Sequence, residues 1–165
     1  MERHNPPTIA DERPMLQAWL DYHRATVYVK CEGLSEQDAW RAPLPSSPRM
    51  SPAGLVSHLY WVERNWFERV LTGADIEPPW LIEADAEFHQ RGDETLIEVM
   101  ARYTEQCRRS DELAAGYGLD DVVVHPHTKE SISVRWIYCH MIEETARHNG
   151  HLDAMRELID GVIGE

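Results

Sequence analysis

The sequence predicts an all-α protein, a four-helix bundle with long crossover connections. Four stretches of roughly 20 residues place apolar side chains at intervals of three and four, the period of a helix with one buried face. Capping residues open these stretches, and glycines or prolines close them. No run alternates convincingly enough to suggest a sheet of any size. Amphipathic helices must bury their stripes against one another, and a bundle does this with the fewest elements.

The first helix is expected from about Asp11 to Glu32, with Asp11 as N-cap and Pro14 tolerated in the first turn. Leu16, Trp19, Leu20, His23 and Val27 form its stripe, and Gly33 stops it. In "SEQD", Ser35 and Asp38 resemble a capping box that opens a short helix through Trp40. "RAPLPSSPRMSP" carries four prolines and reads as a loop. Ser51 then caps the second long helix, with Pro52 in its first turn. Leu55, His58, Leu59, Val62, Trp66 and Val70 are its inner stripe, and Gly73 ends it. Residues 74–92 are irregular, and a loop of that length in a small protein often covers a site. The third helix starts near Asp93, presents Leu96, Met100, Tyr103 and Cys107, and ends around Gly116 to Gly118. "DDVVVHPHTKESIS" is a connector with room for one short strand near Val122 to Val124. Ser131 or Ser133 caps the last helix, which runs to about Asp160 before Gly161.

A chain of 165 residues fits one domain, and 42% hydrophobic residues with six Trp and six Tyr are enough to fill its core. The formal net charge of -13 argues against nucleic acid or an anionic membrane as partner, since both demand neutralising Lys and Arg. Cys31, Cys107 and Cys139 form no CxxC pair and read as reduced thiols of a cytoplasmic protein. The N-terminal stretch has no apolar h-region, and no segment reaches the length of a membrane span. Phosphate-binding loops, GxSxG and HExxH are absent.

The chemistry concentrates in "EETARHNGH", residues 143–151. On a helical wheel His140, Glu144, His148 and His151 share the sector of Ile137, Met155 and Leu158, while Asn149, Asp153, Arg156 and Glu157 take the opposite, solvent side. His58 likewise lies between Leu55 and Val62. A buried glutamate is costly unless paired or bound to a cation. Glu144 and His148, four residues apart, emerge one turn apart on one face and can chelate one divalent ion. His58 is the best third ligand from a facing helix, leaving open positions as in catalytic zinc sites. The rival reading is a buried Glu–His hydrogen-bond network without metal. His23 reads as a hydrogen-bonded core residue, and His4, His89, His125 and His127 fall in termini or loops. The tryptophans read as core, with Trp61, Trp66 and Trp80 also candidates for a pocket mouth.

With these residues in view, the sequence resembles the DinB-like superfamily of metal-binding four-helix bundles. Its members carry a metal-binding His on the second helix and an H-x3-H pair on the last, often within "HxxxHRGQ". "SHLYWVERNWF" supplies His58, and "EETARHNGHLDAMRE" supplies the pair, with Glu144 in place of the usual His, His148 as its partner, and "NGH" where "RGQ" is usual. The Glu variant resembles the actinobacterial branch that includes the N-terminal domain of mycothiol-dependent maleylpyruvate isomerase. The resemblance implies one DinB-like domain over residues 1–165, with a divalent metal on His58, Glu144 and His148. Zinc is the first expectation, with nickel, iron or manganese as alternatives. It further implies mycothiol as thiol cosubstrate, a transferase or isomerase reaction on a small electrophile, and a homodimer. His151 or His140 would orient a ligand or move a proton. The isomerase has a further C-terminal domain without counterpart here, so thiol chemistry is expected rather than that isomerisation. A metal-dependent hydrolase, and a non-catalytic metal- or ligand-binding stress protein, are the alternatives.

Overall fold

The computed structural model describes residues 2–164. Four long helices form the bundle: α1 (Glu12–Cys31), α3 (Pro52–Glu63), α4 (Leu96–Ala114) and α5 (Val134–Asp160), with α2 (Glu36–Ala39) a single turn after α1. Helix α1 packs along α5 and α3 along α4, while α3 and α5 face each other across a groove. Local chemistry sets the boundaries. The hydroxyls of Ser51 and Ser133 accept from the backbone N–H of Gly54 and Trp136, opening α3 and α5. Gly161, at φ 77°, closes α5 in the left-handed region. Asp11 stands at the N-cap of α1 but makes no side-chain capping bond. None of the helices among the described residues is long and apolar enough to cross a membrane.

Several elements differ from expectation. Helix α4 begins at Leu96 rather than near Asp93, because Thr95 and Glu98 form a reciprocal capping box. The connector 115–133 holds two antiparallel strands, not one: β1 (Val122–Val124) pairs with β2 (Ser131–Ser133), Val123 opposite Ile132. Beyond Glu63 the second long helix continues in π geometry over Arg64–Val70.

The apolar core falls into two clusters. One gathers Val27, Leu55, Leu59, Tyr103, Leu152 and Met155. The other gathers Leu20, Phe67, Val70, Ile137 and Met141. Between them along the helices stand polar side chains: Arg24 on α1, Glu63 at the end of α3, Asp111 on α4, and Thr145 and His148 on α5. Arg24 and Glu63 are both fully buried. Their bond is bidentate, Nε to Oε1 at 2.7 Å and Nη2 to Oε2 at 2.8 Å.

The solvent face expected for α5 is partly wrong. Asn149 and Arg156 are buried and Leu158 is exposed. Asn149 Nδ2 donates to the His23 carbonyl at 3.0 Å, and Arg156 Nη1 donates to the Lys30 and Glu32 carbonyls at the end of α1. Packing of α1 against α5 turns the buried arc of α5 about 80° away from the centre of the expected one. His140, Glu144 and His151 therefore sit on the shoulder of the buried face, towards the α3 groove. His23 is only half-buried; its ring stacks on the half-exposed Trp19, which was expected in the core.

Candidate metal centre

His58, Glu144 and His148 converge across the α3–α5 groove, each offering a ligand atom within 4.8 Å of the others. Glu144 Oε1 lies 3.4 Å from His58 Nε2 and 3.1 Å from His148 Nε2. The side chains of His58 and Glu144 are each 14% exposed, so the group is enclosed but reachable. The spacing i, i+4 on α5 brings Glu144 and His148 together, and the facing of α3 and α5 adds His58.

Each imidazole is held from behind. His58 Nδ1 lies 3.3 Å from Glu87 Oε1, and the His58 ring stacks on Phe88 at 4.7 Å and 7°. Both come from the 3-10 turn Ala86–Phe88 in the long loop, so that loop does cover the site. His148 Nδ1 lies 3.3 Å from His151 Nδ1. These contacts leave Nε2 of both rings facing Glu144. His140 stands apart, one turn before Glu144. Its ring stacks on Trp136 at 5.0 Å and 13°, with Trp66 edge-on at 4.7 Å.

Sequence reasoning missed Glu87, because nothing local marks "AEFH" as part of a site. It also missed Gly54, one turn before His58. A β-carbon there would lie 2.7 Å from the Phe88 carbonyl oxygen, so only glycine lets the loop backbone seat this closely on α3.

The electrostatics follow the contacts. Hydrogen bonds from His148 first, and then His58, hold Glu144 well below the usual carboxylate range. Burial works against a charged His58, but the bonds to Glu144 and Glu87 outweigh it and its pKa is raised. Burial likewise opposes ionisation of Glu87, yet the His58 bond prevails and its pKa is lowered. Burial, then the neighbouring His148, lowers His151, which suits a neutral imidazole accepting from the ring beside it.

The residues fit a divalent cation. Two imidazole nitrogens and a carboxylate oxygen form a donor set typical of zinc and its neighbours. Bonds of about 2.0–2.1 Å in a tetrahedral array put donors roughly 3.3 Å apart, close to the 3.4 and 3.1 Å from Glu144 Oε1 to the two imidazoles. Glu87 Oε2 is buried with no hydrogen-bond partner among the described residues. A carboxylate that orients a ligating histidine is a common companion of metal sites. Glu87→Ala is accordingly expected to weaken zinc or cobalt binding about 10- to 100-fold, with Glu87→Gln recovering part of the loss by keeping an acceptor for His58. Competition with a chromophoric chelator measures both, and equal affinity in parent and Glu87→Ala would remove the role.

No curated protein matches the chain. A family model described as Mycothiol-S-transferase matches residues 15–161, a span that takes in His58, Glu87, Glu144, His148 and His151. With nearly the whole chain matched, and in keeping with the DinB-like resemblance read from its motifs, the chain belongs to the mycothiol-S-transferase family.

Proposed function

We propose that the protein is a divalent-metal-dependent S-transferase that joins the sulfur of mycothiol to a small electrophile. The observation that carries this reading is the convergence of His58, Glu144 and His148 within a chain of the mycothiol-S-transferase family. When bound, a divalent ion supplies the positive charge that lowers a thiol's pKa and keeps it as thiolate near neutral pH. The chain's own residues do the rest. His58, Glu144 and His148 would hold the ion, and three protein donors would leave room in its shell for the thiol. Glu87 and His151 fix the two rings so that Nε2 of each points inward. Phe88 covers the far face of His58 and keeps water from it. His151, neutral and accepting from His148 Nδ1, would act by orienting that ring, and the thiol proton would pass to water.

The test uses protein purified without a His-tag and reconstituted with cobalt. Titration with mycothiol should produce a sulfur-to-cobalt charge-transfer band, and an electrophile should then be consumed only when the thiol is present. Turnover by hydrolysis without thiol would replace this reading with a hydrolase. Cobalt held without either band or turnover would leave a non-catalytic binder.

A further inference from the structure

The α3–α5 groove does not end at the three candidate ligands. On the π-helical continuation of α3, Trp66 follows His58 by eight residues. On α5, His140 and Trp136 precede Glu144 by four and eight residues. Contacts across the groove keep the same order. His58 meets Glu144 and His148, while Trp66 meets His140 at 4.7 Å and Trp136 at 5.1 Å between ring centroids. Each helical turn advances about 5.4 Å, so the indole pair begins one to two turns from the ligand group, between the same two helices.

Beside the indole pair lies a cavity of about 840 Å³. Its walls are Trp66 and Trp136, with His125, Val122, Ser131 and Ile132 from the hairpin side. Trp66 also faces His125 at 5.8 Å. Trp136 remains 47% exposed and Val122 64% exposed, a large apolar surface for an otherwise strongly acidic chain. Among the described residues of the wall, Glu130 is the one carboxylate, and no Lys or Arg lines it. An anionic ligand would find no cation on the wall itself, only Arg69 and Lys129 beyond His125. A flat neutral ring would find the remaining indole faces of Trp66 and Trp136, one face of Trp136 being covered by His140. Those faces are the negative part of the aromatic quadrupole, so they favour a ring depleted of electrons.

We infer that the cavity at Trp66 and Trp136 binds the second substrate, and that this substrate is a neutral, planar, electron-poor aromatic electrophile. The inference rests on the transferase reading for its chemistry, and on the groove for its place. With an aryl halide the step balances simply. The thiolate sulfur attacks the ring carbon that bears the halogen, a C–S bond forms, the C–halogen bond breaks, and the electron pair leaves with halide. The thiol proton goes to water.

Binding and transfer are measured separately. 1,3-Dinitrobenzene, which has no leaving group, is titrated calorimetrically into metal-free protein. It should bind the parent and bind Trp136→Ala roughly 3- to 10-fold more weakly, the range that losing one aromatic contact produces. Trp19→Ala, at another half-exposed indole, should bind like the parent. With metal and mycothiol, the KM for 1-chloro-2,4-dinitrobenzene should rise by a similar factor in Trp136→Ala with kcat nearly unchanged. Turnover of iodoacetamide, which has no ring, should be unaffected. Equal dinitrobenzene affinity in parent and Trp136→Ala overturns the site, as does an equal loss of iodoacetamide turnover. Selective binding without any thiol transfer would sustain the aromatic site and defeat the transferase reading instead.

Discussion

Glu144→Ala and His148→Ala should each reduce metal content from about one ion per chain to near zero, and thiol transfer should fall at least 100-fold with it. Each change removes one of three donors that meet at Glu144 Oε1. Two remaining donors on separate helices make a poor chelate. Elemental analysis of tag-free protein reads the content directly. A His148→Ala protein that keeps its metal would show that the ion, if present, is held elsewhere. The pH dependence has a definite sign. His58 lies between Glu144 and Glu87, which raise its pKa against the opposing effect of burial. Metal must displace that proton, so affinity should decline as pH falls, starting at a higher pH than an ordinary histidine would require. The two apolar clusters do not depend on the site. Chelation should therefore remove only the linkage term, about 2.7 kcal/mol at a hundredfold excess over Kd, and leave the chain folded.

Glu63→Ala should be the most destabilising single change in the bundle interior, at about 3–5 kcal/mol, because it leaves the guanidinium of Arg24 buried without its main counter-charge. The remaining partners of Arg24, Asp111 at 2.8 Å and Asp21 at 3.1 Å, are roughly half-exposed and recover only part of the loss. For a chain of this size the fall in Tm is on the order of 10 °C. Replacing both members, as Arg24→Met with Glu63→Leu, should be far less harmful than Glu63→Ala alone, since no charge is then stranded. Thermal melts of the three proteins decide it. A Glu63→Ala protein that melts within about 2 °C of the parent would mean that water or Asp111 replaces the carboxylate at no cost.

The parts of the fold legible in the sequence were those written locally. Ser51, Ser133 and Gly161 mark helix ends by their own chemistry, and the helical period marks the stripes. "TLIE" carried the capping box of α4 just as plainly, although the start was expected two to three residues earlier, near Asp93. His58, Glu144 and His148 were readable because a carboxylate and imidazoles interrupt apolar stripes at helical spacing. What lay outside local pattern was missed. Arg24 and Glu63 look like surface residues until α1 and α3 are laid side by side. Asn149 and Arg156 look solvent-facing until α1 covers that side of α5. Glu87 reaches His58 only through a loop whose seating depends on Gly54, and the aromatic cavity forms only when the hairpin closes against Trp66 and Trp136.

The clamp between Gly54 and the Phe88 carbonyl has a thermodynamic corollary. The docked loop presents Glu87 to His58 and so raises the affinity of the proposed site. Reciprocity then requires the ion to favour the docked loop by the same factor. Loop closure and metal occupancy are two readings of one equilibrium. Residues 74–92 should be cut by protease more slowly as metal is added, and a bulkier residue at position 54 should loosen both together, without touching a single ligand.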